Sequence, residues 1–380
     1  MGVMLDSLIR PFGTCEPTSD GWMNQTSIRL ADGRELIYFD DAPGADRSAR
    51  DLRELAVVHN SSQVRWDPLF GDYTVIAGHR QARTYKPAAS DCPLDPSGAS
   101  RHTEIPASSY DVVVFENRFP SLSTATADTV PAVDAFPFSS GPGVGRCEVV
   151  CFTSEHNTSF SQLAPIRVET VFGAWTERTA ALSRTPGVEF VFVFENRGEE
   201  IGVTLAHPHG QIYGYPFVPK RFRDLIKNNA AYRRDHDACL QCDLAVAERQ
   251  AGERVVLESE HFLVYVPFAA RWPYETRIVP HRHAPDLPSL TPAERSDLAR
   301  VYLDVLRRFD RLFDTPTPYI SGWQQAPVSE GRRDWHLANE LFTIRRADDK
   351  LKYLAGSESG AAVWVSDVTP ELAAARLRGD

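Results

Sequence analysis

His207-Pro208-His209-Gly210-Gln211 sets two imidazoles two residues apart and follows them with a glycine and an amide. In an extended segment, side-chain alternation puts His207, His209 and Gln211 on one face. One imidazole then holds a metal while its neighbour attacks an electrophile and the amide steadies the departing charge. A neutral imidazole suits attack at phosphorus, because it forms a covalent phosphoryl intermediate that a second acceptor collects. Two nearby histidines describe a structural or metal-only pair equally well, so the reading turns on the rest of the chain.

Outward from this segment, the chain repeats itself. Metal-type residues occur as Cys92, Asp95, His156 and His207 in one half and as Cys239, Cys242, His283 and His336 in the other. The last two members are 51 residues apart in the first set (207 − 156) and 53 in the second (336 − 283). The intervening patterns match as well. After His156, Ile166, Val171, Phe172 and Trp175 recur at near-helical spacing, and residues 189–194 (EFVFVF) read as a buried strand. After His283, Thr291-Pro292-Ala293-Glu294 is a capping box with proline at the first helical position; it opens a helix carrying Leu298, Tyr302, Val305, Phe309 and Leu312, and PYISGW supplies the next strand. Residues 111–116 (DVVVFE) and 261–266 (HFLVYV) are strands ahead of the central histidines. The expected fold is α+β: two tandem repeats of antiparallel or mixed sheet with packed helices.

The expected boundaries are an N-terminal extension and edge segment at residues 1–60, a first, catalytic repeat at 61–219 and a second, catalytically silent repeat with a zinc site at 220–380. Residues 33–41 (GRELIYFDD) read as an edge strand, residues 1–22 as an extension with Met23 as an alternative start, and DVTPELAAARLR as a short helix capped by Thr369. At 380 residues and 42% hydrophobic content, the chain has enough apolar material for one large or two ordinary cores. Acidic residues outnumber basic ones 51 to 41, a net charge of −10, with no Lys/Arg run, which argues against nucleic acid as the main partner. No apolar stretch reaches transmembrane length and the opening residues lack a signal-peptide pattern, so a cytoplasmic protein is expected. In a reducing compartment Cys239-Leu-Gln-Cys242 reads as a metal knuckle, with a redox pair as the competitor. Cys92, Asp95, His156 and His207 offer zinc one sulfur, one oxygen and two nitrogens; Cys239, Cys242, His283 and His336 offer a Cys2His2 set. The competing reading is buried thiols, a surface acid and satisfied core histidines.

HPHGQIYGYPFVP, the preceding FENRGEEIG, the early HRQAR and the late KYLAGSE occur in this order. Together they resemble the galactose-1-phosphate uridylyltransferases, a two-repeat branch of the histidine-triad superfamily, from about residue 65 to 378. The resemblance implies that His209 is the nucleophile, taking UMP from a UDP-sugar, releasing a hexose 1-phosphate and passing UMP to a second one by a ping-pong route. It implies UDP-glucose and galactose 1-phosphate as substrates and a homodimer, while zinc in each repeat is read from the two residue sets themselves. Gln211 stands where hydrolytic relatives have a third histidine; an amide donates to a phosphoryl oxygen without acting as a strong acid or base.

By the same resemblance Glu195, Asn196 and Thr204 fall at the phosphate, Asn117 at uridine, and Arg80 and Arg83 are phosphate-binding arginines reaching across the dimer. Lys352 and Glu358 fall at the sugar. Arg118 replaces an acid that touches the ribose in some members, and Ser357 replaces an aromatic. Leu225, Gln324, Ala338 and Glu340 occupy positions where some members hold iron or zinc through one Glu and three His, so that site is absent here. Ala338 also stands where a second nucleophile would be. Two alternatives remain at this point: a related nucleotidyltransferase or phosphorylase using another nucleotide sugar such as ADP-glucose, and a non-catalytic zinc or nucleotide-binding module.

Overall fold

The computed structural model describes residues 16–17, 24–57, 60–82, 87–124 and 132–380. Most of the expected N-terminal extension, Met23 and the expected phosphate ligand Arg83 lie outside the described residues. Strand-rich sequence dominates the first half: β1 (Glu16–Pro17), β2 (Asn24–Arg29), β3 (Glu35–Asp40), β4 (Gln63–Asp67), β5 (Asp72–Ile76), β6 (Val112–Glu116), β7 (Val133–Ala135), β8 (Phe138–Pro142) and β9 (Arg146–Cys151) precede helix α1 (Pro165–Leu182). Then come β10 (Phe190–Arg197), β11 (His209–Tyr215), α2 (Lys220–His236), α3 (Leu240–Ala251), β12 (Val255–Glu258), β13 (Phe262–Tyr265) and β14 (Thr276–Pro280). The second half continues with α4 (Pro292–Asp310), β15 (Tyr319–Gln324) and β16 (Ala338–Phe342).

Twelve strands form one sheet in the order β1-β2-β3-β6-β9-β11-β10-β15-β16-β14-β13-β12. Every named-strand pairing in it is antiparallel. Outward from the β10–β15 seam, β10-β11-β9-β6-β3 on one side match β15-β16-β14-β13-β12 on the other. The repeat is therefore α+β, and its two halves share one continuous sheet. A second, four-stranded sheet, β5-β4-β8-β7, stands apart.

β3 lies inside the sheet, between β2 and β6, rather than at its edge. Its Leu36, Ile37, Tyr38 and Phe39 are all buried, as an interior strand requires when both faces are covered.

Alternation decides what each face of the sheet carries. Val191 and Val193 of β10 join Phe160, Phe172, Trp175, Tyr302 and Trp323 in the main core under α1 and α4. Both helices open as their sequences require, with proline in the first turn, and α4 has the full Thr291/Glu294 capping box. Phe190 and Phe192 point to the opposite face, where α2 packs Phe222, Leu225 and Ile226 against them. On that face α3 sets Ala245 against Leu263, Tyr265, Val279 and Ala338. In the first half the loop bearing Cys92 and Leu94 packs there instead, against Leu36, Tyr38 and Phe115. Each half thus brings its first two metal-type residues over the sheet from outside it.

Candidate active site

β11 begins at His209, and its odd-numbered residues are half-buried while Gly210, Ile212 and Gly214 are buried. His209, Gln211 and Tyr213 consequently share one wall of a cleft of about 270 Å³, together with Phe194, Asn196, Thr204 and Arg80. Gly210 turns to the core side, where a Cβ would stand 2.9 Å from Phe152 Cζ and 3.0 Å from the Phe194 carbonyl oxygen. That close approach leaves room only for glycine beside His209.

His207 does not share that wall. It precedes β11, and its ring enters the group formed with Cys92, Asp95 and His156, whose ligand atoms all lie within 4.8 Å of one another. The extended-segment expectation therefore holds for His209 and Gln211 and fails for His207, because the chain is not yet in the strand at Pro208. The His207 carbonyl accepts a hydrogen bond from His209 Nδ1 at 2.8 Å. This commits one ring nitrogen of His209 as a donor and leaves Nε2 with its lone pair. Burial lowers the His209 pKa, which keeps the ring neutral and nucleophilic.

His207 Nε2 donates to the Thr153 carbonyl at 2.7 Å and sits 2.8 Å from Tyr110 Oη, whose own proton goes to the Leu94 carbonyl at 2.8 Å. Nδ1 is thereby left as an acceptor, yet it faces Asp95 Oδ1 at 3.0 Å. His156 Nδ1 faces the same oxygen at 2.8 Å. Burial acts to raise the Asp95 carboxyl, but hydrogen bonds with His156 and Arg101 outweigh it and hold the group below its usual value. A lone pair set against an ionised carboxylate is repulsive unless a cation lies between them, so this donor set fits a metal.

The second group has the same plan. His156 follows Thr153 by three positions, as His283 follows Pro280; His336 Nε2 donates to the Pro280 carbonyl at 2.9 Å, as His207 does to Thr153. His283 Nδ1 and His336 Nδ1 approach Cys242 Sγ at 3.3 and 3.6 Å. Cys239, Cys242 and His283 have ligand atoms within 4.8 Å of one another, and His336 adjoins them through Cys242. Cys239 caps α3, with Cys242 in its first turn. A hydrogen bond from Cys242 lowers the Cys239 thiol to about 5, which readies one sulfur for a cation.

Strand register makes the two halves comparable residue by residue. Gln211 pairs with Phe194 and Gly210 with Glu195 in one half; Glu340 pairs with Gly322 and Ala338 with Gln324 in the other. Ala338, 1% exposed, takes the place of His209. Glu340 takes that of Gln211 and is clamped by the Arg221 guanidinium from α2, at 2.7 Å to Oε2.

Several expected contacts fall elsewhere. Glu195 was expected at the phosphate, but alternation along β10 sends Phe194 and Asn196 to the cleft and Glu195 beneath it. There its carboxyl accepts from Tyr319 Oη at 2.8 Å and from Tyr302 Oη at 3.4 Å. Burial raises this acid to about 7. The native state therefore holds the proton more tightly than the unfolded chain; the contribution is complete below the usual value of 4.5 and is lost as pH rises to about 7. Glu195→Gln is expected to flatten that part of the stability profile and to raise stability at pH 8, by up to ~3 kcal/mol. Chemical denaturation of both proteins from pH 4 to 8 checks it, and parallel curves would refute it.

Asn117 does not line the cleft; its Oδ1 accepts from the Phe119 amide at 2.9 Å in a local turn. Lys352 and Glu358 pair with each other at 2.9 Å, also away from the cleft. Tyr110, Thr153 and Arg101, which organise the first metal group, carried no sequence signal because their contacts span loops. Tyr213 did carry one: it continues the alternation of His209 and Gln211.

With this geometry in view, similarity to known proteins is specific. Residues 54–219 match the model of "Galactose-1-phosphate uridyl transferase, N-terminal domain", and residues 213–379 match that of the corresponding C-terminal domain. The galactose-1-phosphate uridylyltransferase of Streptomyces lividans is 44% identical over 366 residues, covering 94% of this chain and 98% of that protein. The Thermotoga maritima protein of the same name is 38% identical, covering 83% and 98%. A solved uridylyltransferase structure superposes with a TM-score of 0.75 at 31% identity, over 83% of this chain and 98% of that one. Agreement of this extent across both halves, on a sheet that carries both, places the chain in the galactose-1-phosphate uridylyltransferase family.

Proposed function

We propose that the chain transfers UMP from UDP-glucose to galactose 1-phosphate, giving UDP-galactose and glucose 1-phosphate, through a covalent uridylyl-His209. The observation that carries this reading is the His209 ring: Nδ1 bound to the His207 carbonyl, Nε2 free, in a cleft that also presents Gln211, Asn196, Thr204 and Arg80. Nε2 attacks the α-phosphorus; the N–P bond forms as the bond to the hexose 1-phosphate oxygen breaks, and the leaving group departs as a phosphate dianion. The phosphate of galactose 1-phosphate then attacks the same phosphorus and frees the imidazole. Arg80 matches the phosphate's charge, and Asn196, Thr204 and Gln211 supply neutral hydrogen bonds to its oxygens.

Zinc is the proposed metal in each half, held by Cys92, Asp95, His156 and His207 and by Cys239, Cys242, His283 and His336. Bound there, it supplies a fixed charge that anchors the chain entering β11 and β16. The half in which Ala338 takes the place of His209 and Arg221 clamps Glu340 at the position of Gln211 is proposed to be silent. Lys352 and Glu358 stand outside the cleft, as they would if a second copy in a homodimer supplied the sugar contacts. No described helix is long and apolar enough to cross a membrane.

The test is direct. Incubation with UDP-glucose should add one uridylyl group to the intact protein, and galactose 1-phosphate should remove it as UDP-galactose. ADP- and GDP-glucose in parallel report base choice. Release of free UMP as the main product, or an adduct only with another nucleotide, would refute the assignment.

A further inference from the structure

Gln211 is useful to a phosphoryl oxygen only if its NH2 end, and not its carbonyl, faces the cleft. The two ends are nearly isosteric, so packing alone does not choose between them; the hydrogen-bond network does. Tyr213, two residues along β11 and on the same wall, has its hydroxyl 3.2 Å from Gln211 Oε1. Burial raises the phenol's pKa, while the Arg80 guanidinium, which lines the same cleft, and Ser121 act to lower it. Ser121 Oγ is in turn 3.4 Å from Cys147 Sγ, on the strand position paired with Tyr213. The cationic guanidinium can only donate, so it favours the phenol oxygen as an acceptor and leaves the phenol proton for Gln211 Oε1; the flipped amide would set a further donor against the same oxygen.

We infer that Tyr213 is the positioning residue of this site: its hydroxyl holds Gln211 Oε1 and so turns the amide NH2 toward the substrate's phosphoryl oxygen. The inference rests on the proposed role of Gln211 and deepens it. It also explains why an aromatic with a polar end occupies a cleft wall. The amide that would meet the phosphate is thus oriented before substrate arrives, which is the preorganisation that transition-state stabilisation requires.

A double-mutant cycle on the half-reaction, uridylylation of the protein by UDP-glucose, tests it. Tyr213→Phe keeps the ring and removes one hydroxyl. It is expected to slow adduct formation about tenfold with the half-saturating UDP-glucose concentration changed by less than about twofold, the loss of one hydrogen bond acting on the rate. In a Gln211→Ala background, itself impaired, the same substitution should change the rate by less than about twofold. An equal Tyr213→Phe penalty in both backgrounds would overturn the inference while leaving the role of Gln211 intact. A Gln211→Ala protein as fast as the unsubstituted chain would instead remove the reading on which the inference rests.

Discussion

His209→Gly is expected to abolish exchange between UDP-glucose and galactose 1-phosphate, by about 10⁴-fold or more, and to leave no uridylyl adduct in the intact mass. The size of the effect follows from the proposed role of His209, the one imidazole among the described residues that line the cleft. Its neighbours in β11 are an amide and a phenol, and the corresponding position of the other half is Ala338. No nearby imidazole substitutes, since His207 is turned away and its Nε2 is committed to the Thr153 carbonyl. The fold should tolerate the change, because the His209 side chain opens to the cleft and contributes little to the core. Exchange kinetics, intact mass and a melting curve on the same preparation separate these outcomes. Exchange at the rate of the unsubstituted chain would end the covalent mechanism.

Removal of the metals should have the largest effect on stability. Each group gathers ligands from separate segments, such as the loop with Cys92 and Asp95, the turn after β9 and the entry to β11. A cation that binds only the folded arrangement adds its binding free energy to folding, and its loss leaves buried polar groups opposed without compensation. Chelation is expected to cost several kcal/mol, lowering the melting midpoint by about 5 °C or more. Cys239→Ser should lose the metal of the second half, and Cys92→Ser that of the first; the latter should also slow adduct formation, because it loosens the entry to β11. Metal analysis with calorimetry checks this. A midpoint that chelator does not move would refute the metal assignment for both groups.

The repeat was legible before any coordinates because helices and strands leave distinct periods. The capping box at Thr291, the run at residues 189–194 and the matched spacings reappear as α4, β10 and two clusters of potential metal ligands. The reading failed where a residue's face depended on where a strand starts. Glu195 lies next to Asn196 and was grouped with it, but one step along a strand reverses the face, and the carboxyl lies among tyrosines. His207 was placed on the wall of His209 by the same assumption, and the strand begins two residues later. Residues 33–41 read as an edge because nothing in their own sequence announces that β2 covers them.

The sequence by itself determined the two-fold repetition, the α+β class, the residue types that gather in the two candidate metal groups and the imidazole and amide proposed to carry the chemistry. All of these are carried by residue type and short-range spacing, which survive without knowledge of distant contacts. Tertiary structure alone decided that the halves join edge to edge in one sheet, that Glu340 is bound by Arg221, and which nitrogen of His209 is free. It also turned Gln211 through Tyr213. These are matters of register and hydrogen-bond direction, set when segments far apart in the chain meet, and no local pattern encodes them.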